Sequence, residues 1–201
     1  SSSLWEDFYI TNKKSSRRKW NVNKKIMMKK AYVLDYECGN VKSVIKAFEF
    51  NNYSISKGKF DNISPDSLLI IPGVGNFGYA MNYLNKNNLV KLIKNHYILG
   101  GQILGICLGM QLLFEGSEEA PGIQGLGLIK GKVKKLKNFD SLNFSNMHLG
   151  WSNTNFKGLN QNHDMYYVHQ YYCEPDSDLI ITETFKWRNE EICAGIKTNQ
   201  I

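Results

Sequence analysis

No stretch of these 201 residues approaches the run of about 20 apolar residues that a membrane-spanning helix needs. Cysteine is sparse and unpatterned. Cys38, Cys107, Cys173 and Cys193 form no C-x-x-C pair and no metal-ligand spacing. No metal and no cofactor is therefore implied, and the cysteine usage fits a reducing, cytoplasmic setting. Internal repeats and low-complexity linkers are absent, and the N-terminus has neither the apolar core nor the small-residue cleavage site of a signal peptide. Basic excess is also missing from most of the chain. The formal net charge is +7, but residues 1–30 hold nine Lys/Arg against Glu6 and Asp7, and the remainder balances sixteen basic against sixteen acidic residues. A neutral body offers no phosphate-binding face, so nucleic acid is not an expected partner.

What remains is one globular domain with enough chain to bury a core. Residues 1–27 are polar and basic without periodicity, and are expected to be an extension that is disordered or foreign to the native chain. Met27-Met28-Lys29-Lys30 reads as the natural start of a domain spanning 28–201. From Ala31 onward, strands and helices alternate. Ala31–Asp35 reads as a buried strand, Gly39-Asn40 as a turn, Val41–Asn51 as an amphipathic helix and Leu68–Ile71 as a second strand. Residues 79–95 read as a helix and Gln102–Ile106 as a strand. Later segments (Leu126–Leu136, Met165–Tyr172, Leu179–Phe185, Ile192–Ile196) are strand-rich. The pattern predicts an α/β fold: a mostly parallel sheet with helices on both faces and a mixed or antiparallel extension.

The most specific stretch is Gly105-Ile106-Cys107-Leu108-Gly109, after the apolar Ile103-Leu104 and before Met110–Phe114. It reads as strand, sharp turn and helix, with glycines where a Cβ would clash. That is a nucleophile elbow with sulfur in place of oxygen. Cys107 is the expected nucleophile, at a helix N-terminus where the dipole and free N–H groups favour the thiolate. The Leu108 N–H is placed to serve an oxyanion.

Gly73-Val74-Gly75-Asn76-Phe77-Gly78 satisfies G-x-G-x-x-G after a strand and before a helix. A dinucleotide site also needs an acidic residue about 20 positions later, and none occurs from Ala80 to Ile106. The loop reads better as a neighbour of Cys107, with the N–H groups of Gly73 to Gly75 supplying a second oxyanion donor.

Pro72–Phe77, Gly105–Phe114 and Ser117-Glu118-Glu119-Ala120-Pro121-Gly122 together resemble class I (triad) glutamine amidotransferases. Asp35-Tyr36, Gly39-Asn40-Val41, Ser43-Val44, His148–Trp151 and Tyr167–Tyr171 narrow the resemblance to the glutaminase subunits of imidazole glycerol phosphate synthase, in histidine biosynthesis. It runs from about Lys29 to Ile201. Glu37 departs from the usual glycine of the first motif and is expected to alter that turn. The resemblance implies a flavodoxin-like fold in which Cys107 attacks the amide carbon of glutamine, releasing ammonia and then glutamate. It further implies an oxyanion hole from Val74 and Leu108. Glutamine contacts are implied at Gly73, Gly75, Gln111, Glu119, Gln170 and Tyr171, the last two through their backbones. The ammonia would pass to a (β/α)₈-barrel cyclase, as a heterodimer that makes imidazole glycerol phosphate and AICAR.

One part of the family pattern has no counterpart here. The resemblance calls for a His-Pro-Glu motif, the base and its carboxylate, shortly after a strand like Ile192–Ile201. None of His96, His148, His163 and His169 is followed by Pro-Glu. The domain is thus expected to lack its C-terminal end, by truncation or as a natural short form, and to turn glutamine over negligibly as it stands. His169 reads as part of a substrate-binding strand rather than the base, His148 as structural or interfacial, and His96 and His163 as surface residues. Two alternatives share these motifs: a paralogous subunit supplying ammonia for sugar modification in surface polysaccharides, and a non-catalytic binding or regulatory module of the same fold.

Overall fold

The computed structural model describes residues 28–58, 62–137, 147–157, 161–176, 181–188 and 190–201. Strand β3 (Leu68–Gly73) is buried at every position, because it runs between β1 (Lys29–Leu34) and β4 (Ile103–Cys107) with layers over both faces. β2 (Tyr53–Gly58) completes a parallel sheet of order β2-β1-β3-β4. Its side chains alternate between two cores. Ala31, Val33, Leu68 and Ile70 pack with Phe48 of α1 (Val41–Phe50). Leu34, Leu69, Ile71 and Ile103 pack with α2 (Phe77–Lys86), α3 (Leu89–Ile98) and α4 (Leu108–Leu112). Each fully buried Leu or Ile contributes roughly 1.5–3 kcal/mol, so this double-sided core fixes the sheet. Asn40 caps α1 by accepting from the Ser43 N–H, as its turn position suggests. The last residues lie along the outer edge of β4, where the Ile103 N–H donates to the Gln200 carbonyl at 2.7 Å.

The antiparallel extension is a sheet of its own. Its order is β10-β9-β6-β7, built from β6 (His148–Phe156), β7 (Gln161–His169), β9 (Ile181–Trp187) and β10 (Glu190–Lys197). A two-stranded ribbon, β5 (Gly131–Lys135) with β8 (Tyr171–Pro175), joins it to the elbow region.

Several expected elements are redrawn. The single helix over 79–95 is two, broken at Asn87-Asn88. Asn88 adopts φ 57°, and the Asn87 side chain donates to the Tyr83 carbonyl at 2.9 Å; asparagine tolerates that left-handed step better than most residues. The strand over 126–136 shrinks to β5, because the N–H groups of Leu126, Leu128 and Ile129 are taken by the Leu112 and Leu113 carbonyls. The run 165–172 divides at Gln170 between β7 and β8. His96 is not a surface residue: it is buried, with its ring packed where a Cβ on Gly101 would fall. The expectation for residues 1–27 falls outside the described residues, as do Leu179 and Ile180 of the strand over 179–185. No helix among the described residues is long and apolar enough to cross a membrane.

Candidate active site

Cys107 ends β4 and begins α4 at φ 55° and ψ −115°, a conformation that few residues other than glycine adopt. The turn is held from behind. A Cβ on Gly109 would strike the Ile71 carbonyl oxygen, and one on Gly105 would come within 2.7 Å of the Gly109 oxygen. α4 therefore sits directly on β3. Gly73 pairs with Cys107 in the β3–β4 register. A Cβ on Gly73 would lie 2.6 Å from the Gly109 nitrogen and 2.8 Å from the Tyr36 hydroxyl. These contacts leave the Cys107 side chain exposed at the carboxyl edge of the sheet, where open α/β sheets place their chemistry.

The electrostatics of the thiol differ from the sequence expectation. Desolvation pushes the Cys107 pKa above its ordinary value, and the Leu108 N–H offsets this only in part. α4 has five residues, too short to sum a substantial dipole. No imidazole among the described residues bears on the titration of this thiol. The second oxyanion donor is also engaged elsewhere, since the Val74 N–H donates to the Cys38 carbonyl at 3.2 Å. Of the two expected donors, the Leu108 N–H is the one that bears on the thiol.

Three segments bring the remaining candidates together. Gln111, one turn along α4, donates from Nε2 to the Tyr171 carbonyl at 3.3 Å. Glu119 accepts the Phe77 N–H at 2.8 Å and so ties its loop to the start of α2. That loop runs beside β5, with the Val133 N–H donating to Gly116 and the Glu118 N–H to Val133, and β5 pairs Lys135 with Tyr171. The Gln170 carbonyl accepts from the Leu136 N–H at 2.8 Å, and the Gln170 side chain points to solvent. Gly75 adopts φ 106° with open space around it. Burial and the neighbouring Glu119 and Glu118 carboxylates raise the Tyr171 pKa. One edge of the candidate site is thus acidic.

Glu37 takes the left-handed conformation itself, at φ 66°, and accepts from the Tyr83 hydroxyl at 3.2 Å. The turn therefore forms without its usual glycine. Two further residues neighbour the elbow. Cys38 acts through a carbonyl, which any residue has. Tyr36, which the resemblance places in its first motif, is buried with its hydroxyl unpartnered beside Gly73. His148 and His169 lie opposite each other on β6 and β7.

The fold and the elbow define an α/β protein carrying a candidate cysteine nucleophile at the end of a parallel strand. Residues 30–200 match the family model described as glutamine amidotransferase class-I, and the chain belongs to that family. Among its relatives, the imidazole glycerol phosphate synthase subunit HisH of Methanocaldococcus jannaschii is 39% identical over 161 residues, covering 76% of this chain and 78% of the relative. The subunit of the same name from Lactococcus lactis is 40% identical over 167 residues, covering 79% and 81%. A solved structure described as a glutamine amidotransferase superposes with a TM-score of 0.64 at 11% identity, covering 85% of each chain. That likeness speaks to the fold.

Proposed function

We propose that the protein is the glutaminase subunit of an imidazole glycerol phosphate synthase, feeding ammonia to a partner cyclase in histidine biosynthesis. The observation that carries the reading is Cys107 itself, held in a strained turn, exposed, and braced by Gly105, Gly109 and Gly73. Its thiolate attacks the side-chain amide carbon of glutamine. The tetrahedral oxyanion is met first by the Leu108 N–H. Val74 joins once its N–H leaves the Cys38 carbonyl, so the hole is completed by a rearrangement of the 73–75 loop. Expulsion of ammonia leaves a γ-glutamyl thioester, and water then releases glutamate and the thiol. Gln111 and the Tyr171 backbone orient the substrate, and the Glu119 carboxylate favours its ammonium end. Gly73, Gly75 and Gln170 complete the contacts through their backbones. The proton-transfer base is not among the described residues.

A partner surface accompanies this site. Leu149 and Trp151 of β6 lie opposite Val168 and Tyr166 of β7 and share the outward face of the antiparallel sheet. All four are exposed, Trp151 at 71%. A contiguous apolar face rimmed by polar residues marks an interface, and its occupant in this reading is the (β/α)₈-barrel cyclase, which receives ammonia without its passing through bulk water. The free thiols suit a reducing, cytoplasmic location.

The test is covalent labelling with a diazoketone analogue of glutamine. Saturable modification at Cys107, protected by glutamine and abolished by Cys107→Ala, is expected. Its absence in the unmodified protein would favour a non-catalytic module instead. Complementation of a histidine-requiring strain by a chain that carries the His-Pro-Glu motif distinguishes this pathway from sugar amidation.

A further inference from the structure

Opposite the exposed apolar face, three side chains on the inner face of β6 and β7 form an unbroken line that ends on the Tyr171 carbonyl of β8. The Ser152 hydroxyl lies 3.0 Å from His148 Nε2. His148 Nδ1 lies 3.1 Å from His169 Nε2. His169 Nδ1 lies 3.0 Å from the Tyr171 carbonyl, the same carbonyl that accepts from Gln111. The line ends on an obligate acceptor, which fixes every proton in it. A carbonyl cannot donate, so His169 Nδ1 carries hydrogen, and in the neutral ring Nε2 must then accept. His148 therefore donates from Nδ1 and accepts at Nε2, and Ser152 donates.

The surroundings favour that neutral arrangement. His148 is buried, stacked on Tyr167 at 5.3 Å and Phe185 at 4.9 Å between ring centroids. Tyr167 spends its own hydroxyl on Thr154 at 2.7 Å. Burial lowers the pKa of both histidines, and for His148 the adjacent His169 lowers it further.

The geometry points to a role for this line in the glutamine site: His169, supported by His148 and Ser152, is a positioning residue that holds the Tyr171 carbonyl and through it the Gln111 amide. The role rests on the reading of Gln111 as a glutamine contact. His169 is not placed as the base, because its Nδ1 proton is committed to a carbonyl and its Nε2 to a second imidazole. The peptide segment from His169 to Tyr171 joins the β7 strand of the partner-facing sheet to the β8 strand of the site ribbon, so the line also clamps the junction between the two.

Two measurements test it. Nitrogen-15 NMR of the full chain at neutral pH should show both rings as the Nδ1–H tautomer, the minor form of free imidazole side chains. An Nε2–H tautomer on either ring overturns the line. In labelling with the diazoketone analogue, His169→Leu should raise the half-saturating concentration about fivefold to tenfold, the scale of one lost buried hydrogen bond, with little change in the limiting rate. His169→Asn, which keeps a donor at the Nδ1 position, should stay close to the unmodified protein. Equal saturation in His169→Leu, or impairment of His169→Asn to the same degree as His169→Leu, overturns the positioning role. Nδ1–H tautomers in a protein that the analogue never labels would sink the glutamine reading and the positioning role together, whereas Nε2–H tautomers with normal labelling would sink the line alone.

Discussion

The two large sheets use apolar residues for opposite ends. In the parallel sheet, Leu69, Ile70 and Ile71 disappear between layers, while the Cys107 thiol stays exposed at the edge. In the antiparallel sheet, Leu149, Trp151, Tyr166 and Val168 stay outside, while a histidine, two threonines and a carboxylate (His148, Thr154, Thr184, Glu183) are buried beside Phe156, Phe185 and Ile192. The first sheet buries its apolar strands and seats the Cys107 turn; the second leaves part of its apolar surface outside, on the face proposed above for a partner. Burial therefore predicts stability in the first sheet, and the exposed face of the second is where the proposed association would act.

The sharpest way to break the first half of this contrast is Gly109→Ala. The new methyl group meets the Ile71 carbonyl, and rigid backbone on both sides cannot yield cheaply. A loss of about 3 kcal/mol, or roughly 6–12 °C in Tm, is expected by thermal unfolding. The matching change on the other sheet is Trp151→Ala. Tm should hardly move, whereas the Kd for a barrel cyclase subunit, measured calorimetrically, should rise about 30-fold, equivalent to roughly 2 kcal/mol. A large Tm loss there would mean that the outward face belongs to the fold after all.

Acid and base should separate the sheets as well. His148 and His169 titrate below their ordinary value in the folded chain, so the unfolded chain binds their protons first. Their contribution is complete above the unfolded pKa of about 6.5 and is lost as pH falls below it, so Tm should drop on acidification from pH 7.5 to 5.5. Cys107 shifts upward; alkylation of its thiol by iodoacetamide should keep accelerating beyond pH 9 instead of levelling near neutrality. A plateau near pH 7 would reveal an activating partner. The smallest effect belongs to Glu37→Gly, which removes the left-handed strain at φ 66° but also the Tyr83 contact. A gain of about 0.5–1 kcal/mol in denaturant unfolding is expected.

The parallel half was legible because its signals are local. Unbroken apolar runs gave β1, β3 and β4, Asn40 marked the start of α1, and Gly105 and Gly109 bracketed the elbow. The helix break at Asn88 was hidden because Asn87-Asn88 fits an amphipathic pattern as well as it fits a turn. Strand β2 escaped notice because it alternates only weakly, with Tyr53 buried and little else. In the second half, β6 escaped because its inward face carries His148, Ser152 and Thr154, polar residues that count against a core until their partners on β7 and β9 are known. The site was readable as a set of residue types. The occupied state of Val74, the raised thiol pKa and the His148–His169 pair all depend on what lies across the fold, and no spacing along the chain encodes that.

The backbone angles at Cys107 carry a consequence for how this protein is lost or kept in a cell. The side chain points away from the core, and its φ of 55° suits glycine better than cysteine. Chaperones and proteases sort chains by how often they unfold, so a lesion at Gly109 is cleared, while one that replaces Cys107 by glycine passes inspection with a firmer fold than before. Form and chemistry are inherited separately at this turn. A silenced copy would persist at full abundance.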